Sequence, residues 1–180
     1  RMETSDEALA LASALGDREA FSALIARHYD RICGLSFRLT GSRPEAEDLT
    51  QDICVSLPAK LGSYRREARF TTWLYRVTVN AAQDRRRRAA TRTKAADGWG
   101  TWELSRQAEI EEGRAAEVWL AETMQSLSPE LRDTVASALG ADLSQAEAAD
   151  VLGVSEGTVA WRMSEVKKRL RVLARAEGML

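Results

Sequence analysis

Histidine is almost missing from this sequence of 180 residues: His28 stands alone, and the two cysteines, Cys33 and Cys54, fall inside apolar helical patterns without C-x-x-C spacing. That scarcity argues against zinc and disulfide frameworks, and it removes the histidine triads and H-E-x-x-H motifs that hydrolases draw on. No catalytic residue, metal or cofactor is expected. No stretch approaches the roughly 18 apolar residues that a membrane span requires, so no membrane insertion is expected. The first residues lack a basic stretch followed by an apolar one, which makes a cytoplasmic location the expectation. Alternating β-branched runs with hairpin turns are lacking too. With 44% hydrophobic and 29% charged residues the composition is globular. Nearly every periodic stretch has helical spacing, so the expected fold class is all-α.

The formal net charge of -1 conceals a segregation along the chain. Residues 1–94 carry 17 lysines and arginines against 12 acids, residues 95–126 carry 2 against 7, and residues 127–180 carry 7 against 8. Within residues 65–94 there are 10 basic residues and 2 acids, ending in Arg85, Arg86, Arg87 and Arg88. Such a block suits phosphate contacts through counterion release. A solvated helix end, its cations complementing the helix dipole, would carry the same residues.

A first helix is expected from about Asp17 to Leu39, with Phe21, Leu24, Ile25, Ile32, Leu35 and Leu39 near one face and Gly41-Ser42 as its stop. Pro44 suits the first turn of a second helix, Glu45, Glu47 and Asp48 suit its positive end, and Pro58 should kink or end it. Beyond a loop carrying Gly62, Tyr64, Arg65, Arg66 and Arg69, Thr71-Thr72 can cap a third helix that starts near Trp73 and runs into the arginines. The stretch after Ala89 has no apolar period and reads as a flexible linker. A helix from about Ser105 to Gln125 follows, and Pro129 behind its serines starts another. The plan is two small helical domains, 1–88 and 105–180, joined by a linker at 89–104.

The densest pattern lies at 143–163, Leu-Ser-Gln-Ala-Glu-Ala-Ala-Asp-Val-Leu-Gly-Val-Ser-Glu-Gly-Thr-Val-Ala-Trp-Arg-Met. Ala149 is small where two helices must approach, Gly153 can supply a positive φ at the turn, and Val159 packs ten residues after Ala149. This reads as a helix-turn-helix. Ser155 can cap the second helix, whose Val159, Met163, Val166 and Leu170 make one buried stripe. The opposite side carries Trp161, Ser164, Glu165 and Lys168, flanked by Thr158, Arg162 and Arg169, as a recognition helix presents a face to the major groove. The turn at Ser155–Gly157 can offer free N–H groups to a phosphate, and Arg162 can reach a guanine edge or the backbone. Trp161 suits a thymine methyl or sugar, or a protein partner.

Two motif sets now converge. Ala46-Glu-Asp-Leu-Thr-Gln-Asp52, Ala68-Arg-Phe-Thr-Thr-Trp-Leu-Tyr-Arg-Val77, and Asn80 with Asp84 before the arginines form the first; Leu127-Ser-Pro-Glu-Leu-Arg132 and the helix-turn-helix form the second. From about Asp17 to Leu173 the chain resembles the extracytoplasmic-function sigma factors, group 4 of the sigma-70 family, the two sets matching regions 2 and 4. The resemblance implies an alternative sigma factor whose region 2 binds the β′ clamp helices of core RNA polymerase and melted minus-10 DNA. Region 4 would read the minus-35 duplex and meet the β flap, and an anti-sigma factor would hold the chain inactive. It places Asp48, Leu49, Gln51 and Asp52 on the core-binding helix. For the minus-10 strand it offers Tyr64, Arg65, Phe70, Asn80, Asp84, Arg85 and Arg86; for the minus-35 duplex, Ser155, Thr158, Trp161, Arg162 and Lys168. Acids and a glutamine at helix turns can pair with a partner's arginines, and they would equally serve as ordinary helix N-terminal charges.

Departures from the family pattern are visible. Ala160 and Trp161 replace a lysine and a small polar residue, and Pro58 stands where an aromatic is common. A helix-turn-helix regulator acting without polymerase is the competing reading, but the N-terminal half offers no clear dimer surface or effector pocket. A purely protein-binding adaptor leaves the arginine block and the outward face unexplained.

Overall fold

The computed structural model describes residues 3–93, 122–138 and 143–178. Every regular element among them is helical. The first is one that periodicity does not announce: α1 (Asp6–Ala14), where leucines and alanines alternate too evenly for a 3.6-residue stripe. The Ser5 hydroxyl accepts from the Ala8 N–H, and Asp6 and Glu7 lie at the positive end.

Helix α2 (Arg18–Thr40) follows the expectation closely: the Asp17 carboxylate accepts from the Glu19 and Ala20 amides, and Gly41 closes the helix at φ 67°. Its buried stripe is Leu24, His28, Ile32, Leu35 and Leu39, whereas Phe21 and Ile25 are only partly covered. Helix α3 (Arg43–Lys60) starts at its Ser42 cap and Pro44 and buries Leu49, Ile53 and Leu57 against α2. Pro58 does not end it at once; the helix continues to Lys60 and passes into a 3-10 turn, Leu61–Ser63. A proline in the last turn removes one hydrogen bond where the ladder is already finishing.

Helix α4 (Phe70–Thr93) begins three residues ahead of Trp73 and runs five residues past the arginine block. Thr71 and Thr72 are not its cap. The Arg69 carbonyl accepts from the Trp73 N–H at 3.1 Å, while the Phe70 N–H faces Glu7 Oε1 of α1 at 3.5 Å. Phe70, Leu74, Val79 and Ala82 face the core shared with α2 and α3. Each large side chain so buried contributes about 1.5–3 kcal/mol. The linker expected at 89–104 and the helix at 105–125 lie mostly outside the described residues; 122–126 are helical.

In the C-terminal part, α5 (Pro129–Ala138), α6 (Gln145–Leu152) and α7 (Glu156–Ala176) follow in order. Ser144 and Glu147 form a reciprocal capping box at the start of α6. Gly153 ends α6 at φ 67°, Ser155 caps α7, and Ala149 and Val159 are buried across the turn. The helix-turn-helix is therefore present as expected, and α7 runs on for 21 residues. Val166 joins Met124, Leu127, Leu131 and Val135 in a small core, with Met163 and Leu170 packed on it. Ala136 and Val151 belong instead to the core of the N-terminal helices.

A side chain at Gly153 would meet no atom within 4 Å, so only its left-handed backbone opposes substitution. Gly153→Ala should cost about 1–2 kcal/mol in denaturant unfolding, while Gly62→Ala, also in open space but without a positive φ, should cost less.

Candidate nucleic-acid interface

The loop between Ser63 and Phe70 turns sharply, with Arg66 held at φ 61°, a left-handed conformation that a side chain opposes. The turn leaves a cavity of about 540 Å³ walled by Tyr64, Arg65, Trp73, Arg76, Val77 and Asn80. The Tyr64 hydroxyl is fixed by donating to the Ala68 carbonyl at 2.8 Å, and its ring lies 5.4 Å from Trp73. Below them Phe70, 1% exposed, packs on the His28 ring at 5.3 Å. Phe70 is thus a floor beneath the cavity rather than a stacking surface, because its rotamer is committed to the core. Two aromatic walls, an exposed amide at Asn80 and nearby guanidinium groups suit a flat heteroaromatic ring attached to a phosphate chain.

His28 itself is buried, with Nε2 3.0 Å from Asp6 Oδ2. Burial alone would raise the Asp6 carboxyl, but His28 and Arg27 outweigh it and hold the group below its usual range. This contact ties α1 to α2 beneath the loop.

On α3, Asp48, Gln51, Asp52 and Val55 are exposed along one face, so a partner can reach them. Leu49 is not on that face; at 2% exposed it belongs to the core, and its placement with the acids is corrected accordingly. Asp52 Oδ2 accepts from Arg85 Nη2 at 3.0 Å, and Arg85 Nη1 also reaches the Glu45 carbonyl. Asp84 pairs with Arg87 one turn on. The arginine block is therefore engaged within the chain more than its run of like charge suggests.

The C-terminal helices sit against the basic side of α4. Asp133 of α5, its side chain 3% exposed, accepts from Arg86 Nη2 at 2.7 Å and Nη1 at 3.1 Å, and from Gln83 Nε2 at 3.3 Å. Its hydrogen bonds hold the Arg86 guanidinium above the ordinary value, while burial first, and then the Arg86 charge, push Arg132 below it. Removing Arg86 alone would strand a buried carboxylate, a loss of about 3–5 kcal/mol if nothing moved. Glu147 of α6 works in two directions: Oε1 accepts from the Ser144 N–H, and Oε2 accepts from Arg69 Nη2 at 2.7 Å and Thr72 Oγ1 at 2.9 Å. Arg76 Nη1 lies 3.5 Å from Asp150 Oδ1, and Asp150 forms part of the cavity wall. Arg38 of α2 donates to the Ala136 carbonyl at 3.1 Å.

On α7 the Ser155 hydroxyl accepts from the Thr158 N–H and meets the Thr158 hydroxyl at 2.9 Å. Trp161 is 63% exposed, and Lys168 is exposed and paired with Glu165. Arg162 is half-buried, with Nη1 3.5 Å from Thr134 Oγ1 of α5. Reading the sequence missed Trp73, Arg76, Asp133, Glu147 and Asp150 as site residues. Arg69 and Arg76 lie seven residues apart on one side of α4's start, a legible spacing; nothing in sequence pairs them with the C-terminal acids.

The hydrogen bond from Ser144, then Arg69 and Thr72, lower the Glu147 carboxyl to about 2 from its ordinary 4.5. A depressed carboxyl stabilises the folded chain above its unfolded value and ceases to do so as pH falls through the folded one. The wild type should lose stability between about pH 4.5 and 2, and Glu147→Gln should lose less over that window in pH-dependent thermal unfolding.

Family models match in two places: Sigma-70 region 2 over residues 24–92 and Sigma-70, region 4 over residues 117–170. The ECF RNA polymerase sigma factor SigM of Mycobacterium tuberculosis is 34% identical over 94% of this chain and 85% of its own length. SigW of Bacillus subtilis is 28% identical over 87% of this chain and 89% of its own. A solved structure of CnrH in complex with the cytosolic domain of CnrY has a TM-score of 0.71 at 24% identity, covering 96% of this chain and 99% of that one. The all-helical fold is thus shared with CnrH, and the chain belongs to the extracytoplasmic-function sigma factors of the sigma-70 family.

Proposed function

We propose that the chain works as an alternative sigma factor through three surfaces, each carried by helices already described. The exposed face of α3, with Asp48, Gln51 and Asp52, docks on the β′ clamp helices of core RNA polymerase; Val55 adds an apolar contact within the same face. The cavity between Tyr64, Trp73 and Asn80 takes an unstacked base of the minus-10 nontemplate strand. Extruding a base costs a few kcal/mol, and stacking returns about 1–3 kcal/mol per base, so cations along the strand must contribute the rest. Arg65, Arg85 and Arg86 supply those cations once Arg85 releases Asp52 and Arg86 releases Asp133, and Asp84 pairs with Arg87 beside them. Helix α7 enters the minus-35 major groove with Ser155 and Thr158 at its N-terminal turn, Trp161 outward and Lys168 toward the backbone. Arg162 must swing away from Thr134 to reach a base. Region 4 also meets the β flap, and cytoplasmic action follows from the polymerase partner.

The observation that carries this reading is the presence, on one chain, of an aromatic-walled cavity roomy enough for a base, followed by a helix-turn-helix. An anti-sigma partner is part of the proposal: CnrH is seen with CnrY, and RpoE with the anti-sigma factor NepR from Bartonella quintana, a structure of TM-score 0.66 to this chain. The test is transcription by purified bacterial core polymerase on cognate genomic fragments. Starts at defined sites should require the chain. Asn80→Ala should lower those starts while leaving core binding intact, whereas Asp48→Arg should weaken core binding itself. Core that never binds the wild-type chain, with duplex DNA bound by the chain alone, would replace this reading with that of a free-standing regulator.

A further inference from the structure

We propose that the free chain inhibits itself: Asp133, Glu147 and Asp150 of the C-terminal helices stand in for DNA phosphates on α4 and must be displaced before the minus-10 strand can bind. The inference rests on the sigma-factor reading for the identity of the strand, but the closed contact can be measured without it.

The three acids are spread along α4 and each meets a group suited to a phosphate. Glu147 takes Arg69 and Thr72 at the start of the helix, Asp150 takes Arg76 at the cavity wall, and Asp133 takes Arg86 and Gln83 within the arginine run. A bidentate guanidinium–carboxylate pair is the geometry by which arginine also holds phosphate. Asp150 contributes to the same cavity as Tyr64, Trp73 and Asn80, so the C-terminal helices add a second carboxylate, beside Glu67 of the loop, at the edge of an aromatic-walled site. Negative charge there repels a phosphate, and the C-terminal helices cover the route along α4. Strand and closed domain compete for the same cations, and opening reduces apparent affinity by the fraction of chains that are open.

This arrangement also differs from an ordinary domain core. Ala136 and Val151 are the buried C-terminal hydrophobics that join the N-terminal core, with Leu143 and Leu152 partly buried against it; the acids add a set of polar contacts along α4 beside this small apolar patch. A contact made this way separates with salt and re-forms without unfolding either part.

The test uses the full chain and two acid-neutralising substitutions that keep shape, Asp133→Asn and Glu147→Gln. Glutamine still completes a capping box, so α6 keeps its start. Small-angle X-ray scattering at low salt should show the double variant expanded relative to wild type, and wild type should approach the same dimensions as salt is raised. At fixed low salt, binding of a fluorescent single-stranded DNA of about a dozen nucleotides should tighten on the order of tenfold, the equivalent of about 1.4 kcal/mol. The control is Glu19→Gln with Asp30→Asn, an equal change in charge on exposed acids outside this contact. A gain no larger than the control's overturns the proposal, and so does unchanged scattering, or expansion without tighter binding. Unfolding of the double variant would show in its circular dichroism; the single variant Asp133→Asn, which weakens the strongest of the three contacts and leaves the capping box untouched, then has to expand the chain, and failure to do so overturns the proposal equally. Failure of the chain to support transcription would leave these scattering results standing and count against the sigma reading alone.

Discussion

Helix α4 has to satisfy two neighbours at once, and the rest of the molecule is arranged around that demand. Phe70, Leu74, Val79 and Ala82 turn into the core with α2 and α3, which fixes the helix's rotation about its own axis. Once that rotation is set, Arg69, Arg76 and Arg86 have no choice but to project from the other sides. The loop before α4 inherits the same constraint: Tyr64 leans on Phe70 and Trp73, so the cavity wall is as rigid as the core beneath it. A recognition surface supported in this way loses little entropy when it orders a ligand.

The strength of the interdomain contact comes unevenly from its parts. Arg76 with Asp150 is exposed and long, the kind of pair worth well under 1 kcal/mol. Asp133 is different, because a nearly buried carboxylate with three donors has nowhere to find water unless the domains part. Glu147 is different again, since its second oxygen is engaged by its own helix whether or not α4 is near. One acid therefore grips, one is held ready, and one merely adds charge.

Much of the fold was legible because helix signals are local. Asp17, Pro44 and Ser155 announce the starts of three helices, Gly41 and Gly153 announce two ends, and each signal acts through backbone amides, a fixed φ or a positive φ that needs no distant partner. Helix α1 was missed where alanine blurs the period, and the start of α4 was misplaced because its first amide faces a carboxylate from α1, 63 residues away. The aromatic cavity was half legible: Tyr64 and Asn80 stood out by type, whereas Phe70 and Leu49 were grouped with exposed neighbours, since motif membership does not report which way a side chain turns. The pairing of α4 with the C-terminal acids was invisible, because opposite charges far apart in sequence carry no register.

The cations that meet those acids are strung out rather than clustered. Arg69 and Arg86 are 17 residues apart, roughly 25 Å along a helix at 1.5 Å per residue. A polar contact of that length can come apart from one end, as a strip of tape lifts, so the barrier to separation is that of the strongest single grip and not of all together. A partner that first catches the exposed Arg69 end can work its way along past Arg76, and the second domain swings about Asp133 as the last point of attachment. Directionality of release would then be written into the order of three arginines on one helix.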